Sequence, residues 1–255
     1  MKNRIKVVVP FYNPGGYFDV CVESLLKQKY DNFHVYFMDD ASTDLSISRI
    51  PEDDRFTVIR NAIRKGGALP QLHYFYSKLC DPEDITVVVD GDDWLANKNV
   101  LSYINDFYND TGCMVMYGQC RWHMPEPQFK RFEEKGLAYP LNKQQFIDLR
   151  KSVSWPFSHI RTFRAKAYHE IKNQDTNYDC IRDKNGEIYT IGAGDFGVFL
   201  PVVEIVGYDN VKYNDKILYV YNRDTNLNED KVHSSQDQSN AHWEVNKKKS
   251  FKQVF

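Results

Sequence analysis

Four short apolar runs constrain this chain more than any other feature: Ile5–Val9, His34–Met38, Phe56–Ile59 and Ile85–Val89. Each is rich in β-branched or aromatic residues and too short for a stable helix, so each is expected to be a strand. Stretches with apolar residues at helical spacing lie between them, at Val20–Gln28, Ala68–Leu79 and Val100–Tyr108. Strands alternating with helices imply a mostly parallel sheet with helices on both faces. In such sheets ligands gather beyond the carboxyl ends of the strands. The polar clusters stand at those ends: Tyr12-Asn13 after the first run, Asp39-Asp40 after the second, and Asp90-Gly91-Asp92-Asp93 after the fourth.

The second half is less regular. Residues 118–152 read as a polar excursion, with order returning at Val153–Phe163 and a helix-like Arg164–Ile171. A strong helix is expected from Asp195 to Val206, and a last strand from Lys216 to Tyr221. The 223–255 tail is polar and is expected to pack near the ligand side and to end in a short helix. No shift in composition marks a linker, so 1–222 is expected to form one domain.

Charge and cysteine content exclude several classes. A formal net charge of -2 speaks against general nucleic-acid binding. The five cysteines (Cys21, Cys80, Cys113, Cys120, Cys180) are odd in number and form no C-x-x-C pair. That fits neither a disulfide framework nor a zinc ribbon, and it suits a reducing compartment. No apolar stretch reaches the about 20 residues of a transmembrane helix. A soluble, cytoplasmic protein is expected, with peripheral membrane association left open.

Asp90-Gly91-Asp92-Asp93 is the strongest chemical signal. Three carboxylates in four residues, at the end of a buried strand, repel one another. A hard divalent cation would offset that repulsion, and oxygen ligands favour Mg²⁺ or Mn²⁺ held together with substrate phosphates. A solvated acidic turn is the alternative. Gly91 is expected to allow a tight turn and a close approach by a ligand. In Asp39-Asp40-Ala41-Ser42-Thr43-Asp44, a carboxylate can accept from a base N–H or a ribose hydroxyl, while Asp44 or Ser42 can cap a following helix.

These clusters, taken with Val7-Val8-Val9-Pro10-Phe11-Tyr12-Asn13, resemble the family-two inverting glycosyltransferases of GT-A fold. The resemblance runs from about Ile5 to Tyr221. It implies a Rossmann-like α/β domain with a donor-binding half at about 1–117 and an acceptor half at about 118–222. Pro10, Tyr12 and Asp40 would then line the base and ribose pocket, with Asn61 and the Arg64-Lys65-Gly66-Gly67-Ala68 stretch near the donor. Lys65 or Arg64 would oppose the diphosphate. Asp92 would be the main metal ligand, Asp90 would lie nearer the ribose, and Asp93 would support them.

Asp195, in Gly192-Ala193-Gly194-Asp195-Phe196, matches the family's general base, although many relatives carry Glu-Asp where this chain has Gly194-Asp195. Helix capping is the other reading of Asp195. Glu204, Asp179 and Asp183 are the fallback carboxylates for the base. His233 is placed where some GT-A enzymes complete the metal shell. Trp122, Trp155 and His159 are candidate sugar or acceptor contacts. The resemblance implies a nucleotide-sugar donor, with UDP favoured, and a glycan, lipid-linked glycan or protein acceptor. An inactive nucleotide- or carbohydrate-binding module of the same fold is the alternative. A sugar nucleotidyltransferase would want a glycine-rich basic loop after the first strand, and Pro10–Gly16 matches that poorly.

Overall fold

The structure is a computed structural model that describes residues 1–124, 138–152, 155–190, 194–225 and 235–255. In chain order the strands are β1 (Ile5–Phe11), β2 (Phe33–Asp39), β3 (Phe56–Arg60), β4 (Ile85–Val88), β5 (Trp94–Leu95), β6 (Val115–His123), β7 (Ser158–Arg164) and β8 (Val211–Asn222). The helices are α1 (Phe18–Leu26), α2 (Leu69–Tyr74), α3 (Val100–Thr111), α4 (Lys143–Ile147), α5 (Ala165–His169), α6 (Ile171–Gln174), α7 (Gly194–Val206) and α8 (Ser235–Lys247). The described strands form one eight-stranded sheet in the order β3-β2-β1-β4-β7-β6-β8-β5.

β1 is the third strand of this order. It pairs in parallel with β2 on one side, Val7 opposite Val35, and with β4 on the other, Val7 opposite Val87. All seven of its residues are buried, as expected for a strand covered on both faces. Alternate residues feed two cores. Ile5, Val7 and Val9 pack with Phe18, Cys21, Leu25, Val100 and Ile104 of α1 and α3. Val8 packs on the other face with Leu69, Phe75, Tyr76, Phe163 and Val202. The chain therefore leaves β1 for β2 on one side and returns to β4 on the other. The crevice between the carboxyl ends of β1 and β4 is the topological switch point.

The parallel core agrees with the sequence reading to within one or two residues at most ends. Three expectations need correction. The last strand begins at Val211 and not at Lys216, because its pairing with β6 starts at Val115 opposite Val211. The polar excursion does not begin at Gly118, because β6 runs on to His123, antiparallel to β7 and parallel to β8. The tail also does not finish in its helix. Beyond α8 an extended segment runs to Phe255, held by the Val254 N–H donating to Ile205 O and the Phe251 N–H donating to Glu204.

Candidate active site

The carboxyl ends of β1 and β2 are stitched together. The Asn13 N–H donates to Ser42 Oγ at 3.0 Å, and Asn13 Oδ1 accepts from the Thr43 N–H at 2.8 Å. Asn13 holds a φ of 45°, a left-handed conformation that asparagine tolerates better than most residues. Asp39 is buried and turns inward, accepting from the Ser42 N–H at 2.8 Å. Arg60 Nε lies 3.2 Å from Asp39 Oδ2, near enough for an ion pair but not aligned for a hydrogen bond.

Asp40 is equally buried and braces the loop that precedes α2. Its Oδ1 accepts from Asn61 Nδ2 at 2.9 Å and from the Lys65 N–H at 2.8 Å, and its Oδ2 accepts from the Gly66 N–H at 2.8 Å. Three donors leave a carboxylate about one lone-pair site free. Asn61 therefore serves Asp40 directly. The Lys65 side chain is exposed, and the Arg64 guanidinium lies 3.8 Å over the Tyr12 ring. Gly66 and Gly67 have φ of 77° and 66°, and a Cβ on Gly67 would meet Thr190 O at 2.3 Å. This loop is thereby pressed against the chain that leads toward α7.

The acidic turn follows β4. The Gly91 N–H donates to Pro10 O at 3.3 Å, and the Asp93 N–H donates to Asp90 O at 2.9 Å. Gly91 carries no positive φ. A Cβ there would lie 2.7 Å from Phe11 Cβ, so the room it leaves is filled by β1 and not by a ligand.

The three carboxylates divide. Asp93 is buried, with Oδ2 accepting from the Tyr219 hydroxyl and Oδ1 from the Asn222 N–H, both at 2.7 Å. Burial, followed by the charges of Asp90 and Asp92, pushes its carboxyl well above the usual range. Asp93 thus ties the turn to β8 and does not stand beside Asp92 as a ligand. Asp90 and Asp92 are half-buried at the lip of the crevice. Burial pushes Asp92 up to about 6, against the opposing effect of its own backbone N–H and the Thr225 hydroxyl.

α7 begins at Gly194, one residue earlier than expected. Asp195 therefore lies within the first turn, at the helix end whose dipole favours negative charge. Gly197 abuts α2, where a Cβ on this glycine would lie 3.6 Å from Leu69 Cδ2, so α7 and α2 open at the same end of the sheet. Glu204 is unsuited to the base role, because it pairs with Arg150 at 2.5 and 2.8 Å far along the same helix. Asp183 accepts from the N–H groups of Asn185 and Glu187 in an exposed turn.

Trp155 packs its ring 4.0 Å from Phe196 and 4.8 Å from Phe157, as part of the core against α7. His159 stacks on Tyr219 at 4.7 Å and on Tyr221 at 5.3 Å, behind the hydroxyl that holds Asp93. Trp122 is half-buried, with the Arg223 guanidinium 5.5 Å over its ring. His233 lies outside the described residues.

Sequence reading missed Tyr219 and Asn222 as partners of the acidic turn. No local pattern could have marked them, since Tyr219 and Asp93 are 126 residues apart.

The donor set at the lip fits a hard divalent cation. It consists of carboxylate oxygens, and Asp92 is a desolvated carboxylate whose charge such an ion would offset. Among the described residues no three His, Cys, Asp or Glu side chains converge on one point. Asp90 and Asp92 would therefore supply part of a coordination shell, with phosphate oxygens completing it.

Known proteins give the same picture. Residues 6–172 match the family described as glycosyl transferase family 2. The glycosyltransferase GlyG of Streptococcus pneumoniae is 34% identical over 122 residues, which are 46% of this chain and 39% of GlyG. The teichoic acid poly(glycerol phosphate) polymerase of Staphylococcus epidermidis is 22% identical over 69% of this chain and 24% of its own length. The chain thus spans well under half of these relatives.

Among solved structures, residues 1–349 of S. aureus TarS in complex with UDP-GlcNAc superpose with a TM-score of 0.62 at 19% identity. That match covers 93% of this chain and 64% of the other. The mannosyltransferase PcManGT of Pyrobaculum calidifontis, in complex with GDP-Man and Mn²⁺, gives 0.55 at 15% identity over 87% of this chain and 57% of its own. At these identities the likeness establishes the fold, which is GT-A. With its family match spanning the parallel sheet and the acidic turn, the chain belongs to glycosyl transferase family 2.

Proposed function

We propose that this protein transfers a sugar from a nucleoside-diphosphate sugar, UDP-linked by preference, to an acceptor hydroxyl with inversion at the anomeric carbon. One observation carries this reading: the acidic turn after β4 and the braced Asp40 after β2 both bond the carboxyl end of β1, through the Gly91 N–H to Pro10 O and the Asp40 N–H to Phe11 O. The nucleoside would enter between Tyr12 and Asp40, over Pro10, with the remaining acceptor site of Asp40 available to a base N–H or ribose hydroxyl. Asp90 would face the ribose. Lys65 and Arg64, from the loop that Asp40 holds, would oppose the phosphates.

Asp92 would hold the Mn²⁺ or Mg²⁺, which when bound neutralises charge on the diphosphate leaving group. Asp195 would take the proton of the attacking hydroxyl, since an alcohol is a poor nucleophile until that proton is removed. The face opposite the nucleotide is left to the acceptor, which gives inversion. The UDP-GlcNAc complex of TarS supports the donor class, and the teichoic acid poly(glycerol phosphate) polymerase relative supports a polymeric acceptor.

The test is a screen of UDP-, GDP- and dTDP-sugars that reads release of free nucleoside diphosphate with and without Mn²⁺. Mn²⁺-dependent release from one nucleotide class is expected. Tight nucleotide binding with no release from any donor, with or without candidate acceptors, would instead identify an inactive binding module.

A further inference from the structure

Gly66 and Gly67 stand between two supports. Asp40 accepts from the Lys65 and Gly66 N–H groups, and Thr190 backs both glycines. A Cβ on Gly66 would lie 3.5 Å from Thr190 Cβ, and one on Gly67 would meet Thr190 O at 2.3 Å. Two consecutive glycines with positive φ have little conformational preference of their own, so the course of this loop is set by what touches it.

Thr190 ends a tight hairpin. The Asp183 N–H donates to Glu187 O at 2.7 Å and the Tyr189 N–H to Ile181 O at 3.0 Å, with Arg182 paired to Ile188. One arm lies against α7, where a Cβ on Gly197 would be 3.3 Å from Ile181 Cγ2. The other arm is clasped by α8 and the residue after it. The buried Tyr189 donates from its hydroxyl to Glu244 Oε2 at 2.9 Å, and Lys248 Nζ lies 5.4 Å over the Tyr189 ring. Lys248 Nζ also donates to Asp179 O at 2.6 Å and to Arg182 O. Tyr189 directly precedes Thr190, so the clasp on its ring acts one peptide away from the contact with Gly67.

We propose that Tyr189 is a positioning residue for the donor diphosphate: clasped by Glu244 and Lys248, it fixes Thr190 against Gly66 and Gly67 and so sets where Arg64 and Lys65 stand. This rests on the reading of those two cations as the groups that oppose the phosphates. Attraction between a cation and a phosphate weakens with distance and with the solvent that enters between them. A loop free to retreat from the crevice therefore loses diphosphate affinity, while the base and ribose keep their contacts with the ends of β1 and β2. A single hydrogen bond of the Tyr189 kind is worth roughly two- to tenfold in an equilibrium, which bounds the effect.

The experiment is calorimetry of UDP and of uridine with the full chain, in EDTA so that no cation bridges the phosphates. Tyr189→Phe keeps the ring, and Glu244→Ala removes the same bond from its exposed partner, so a folding defect in one leaves the other to be read. Wild type should bind UDP more tightly than uridine. Both variants should bind UDP roughly two- to tenfold more weakly and bind uridine as wild type does. The double variant should lose no more than either alone, because the two changes remove one bond. Glu244→Gln, whose amide oxygen still accepts from the hydroxyl, should restore most of the affinity. Unchanged UDP affinity in both single variants, uridine affinity falling in step with UDP, or no rescue by Glu244→Gln would overturn the proposal and leave the proposed function standing. A wild type that binds UDP no better than uridine would overturn the reading of Arg64 and Lys65 as phosphate partners, and the proposal with it.

Discussion

Asp92 and Asp93 are adjacent carboxylates with opposite duties, and the difference lies in what reaches each. Asp93 receives two donors from β8 in a closed site, whereas Asp92 stays half-buried at the lip. The sequence displays three acids but not this division, because the deciding groups come from a strand more than a hundred positions away. With its folded pKa near 6 and an ordinary value of 3.8, Asp92 binds a proton in the folded state that it has lost in the unfolded state between those values. Stability contributed by this group therefore rises as pH falls from above 6 toward 4, and is lost as pH climbs back. Without metal, Asp92→Asn should melt higher than wild type at pH 8, by about 1–3 kcal/mol of stability, with the gap closing by pH 4. Paired melting curves across that range check it.

Asp195→Asn separates a base from a binding residue at the same scale. The amide keeps the shape but cannot take a proton, so transfer should fall roughly 10²- to 10⁴-fold while UDP and Mn²⁺ affinities hold. Transfer near the wild-type rate would move the base elsewhere, with Asp179 the next carboxylate to test.

At the scale of elements, the Asp40 loop shows how a candidate ligand can also be a brace. Asp39-Asp40 and the basic, glycine-containing stretch were both legible, because each is a local cluster after a local pattern. That one binds the other was not legible, since the contact is made by the backbone N–H groups of Lys65 and Gly66, which no side-chain motif records. Asp40→Ala should release this loop together with Lys65 and Arg64. UDP affinity should fall at least tenfold by calorimetry, and the loop amides should lose hydrogen-exchange protection. An unchanged Kd with the loop still protected would remove Asp40 from the pocket. The same contrast explains the missed end of β6. Gly118, Gln119 and Arg121 lack strand character, and only pairing with β7 and β8 makes that stretch extended.

Taken whole, the molecule is a sheet with its switch point at β1, and the segment after α8 is tied to α7 through Glu204 and Ile205. Arg150 gathers that end: its guanidinium pairs with Glu204 at 2.5 Å and donates to Val245 O at 2.9 Å and Lys248 O at 3.1 Å. Both partners of this pair are largely buried, with side chains 15% exposed. Arg150→Ala would strand Glu204 and the carbonyls it gathers, and should cost about 3–5 kcal/mol in urea unfolding. It should also free the segment after α8 to proteolysis. A loss under about 1 kcal/mol would mean that the segment holds itself.

If donor and cation meet at the acidic turn, as proposed, one comparison tests it directly. Release of UDP from the preferred UDP-sugar is measured for wild type and Asp92→Ala, in EDTA and after adding back Mn²⁺, on proteins shown to have matching melting profiles at low pH. EDTA should silence the wild type, Mn²⁺ should restore it, and Asp92→Ala should stay silent in both. Release by Asp92→Ala at the wild-type rate in Mn²⁺ would contradict it.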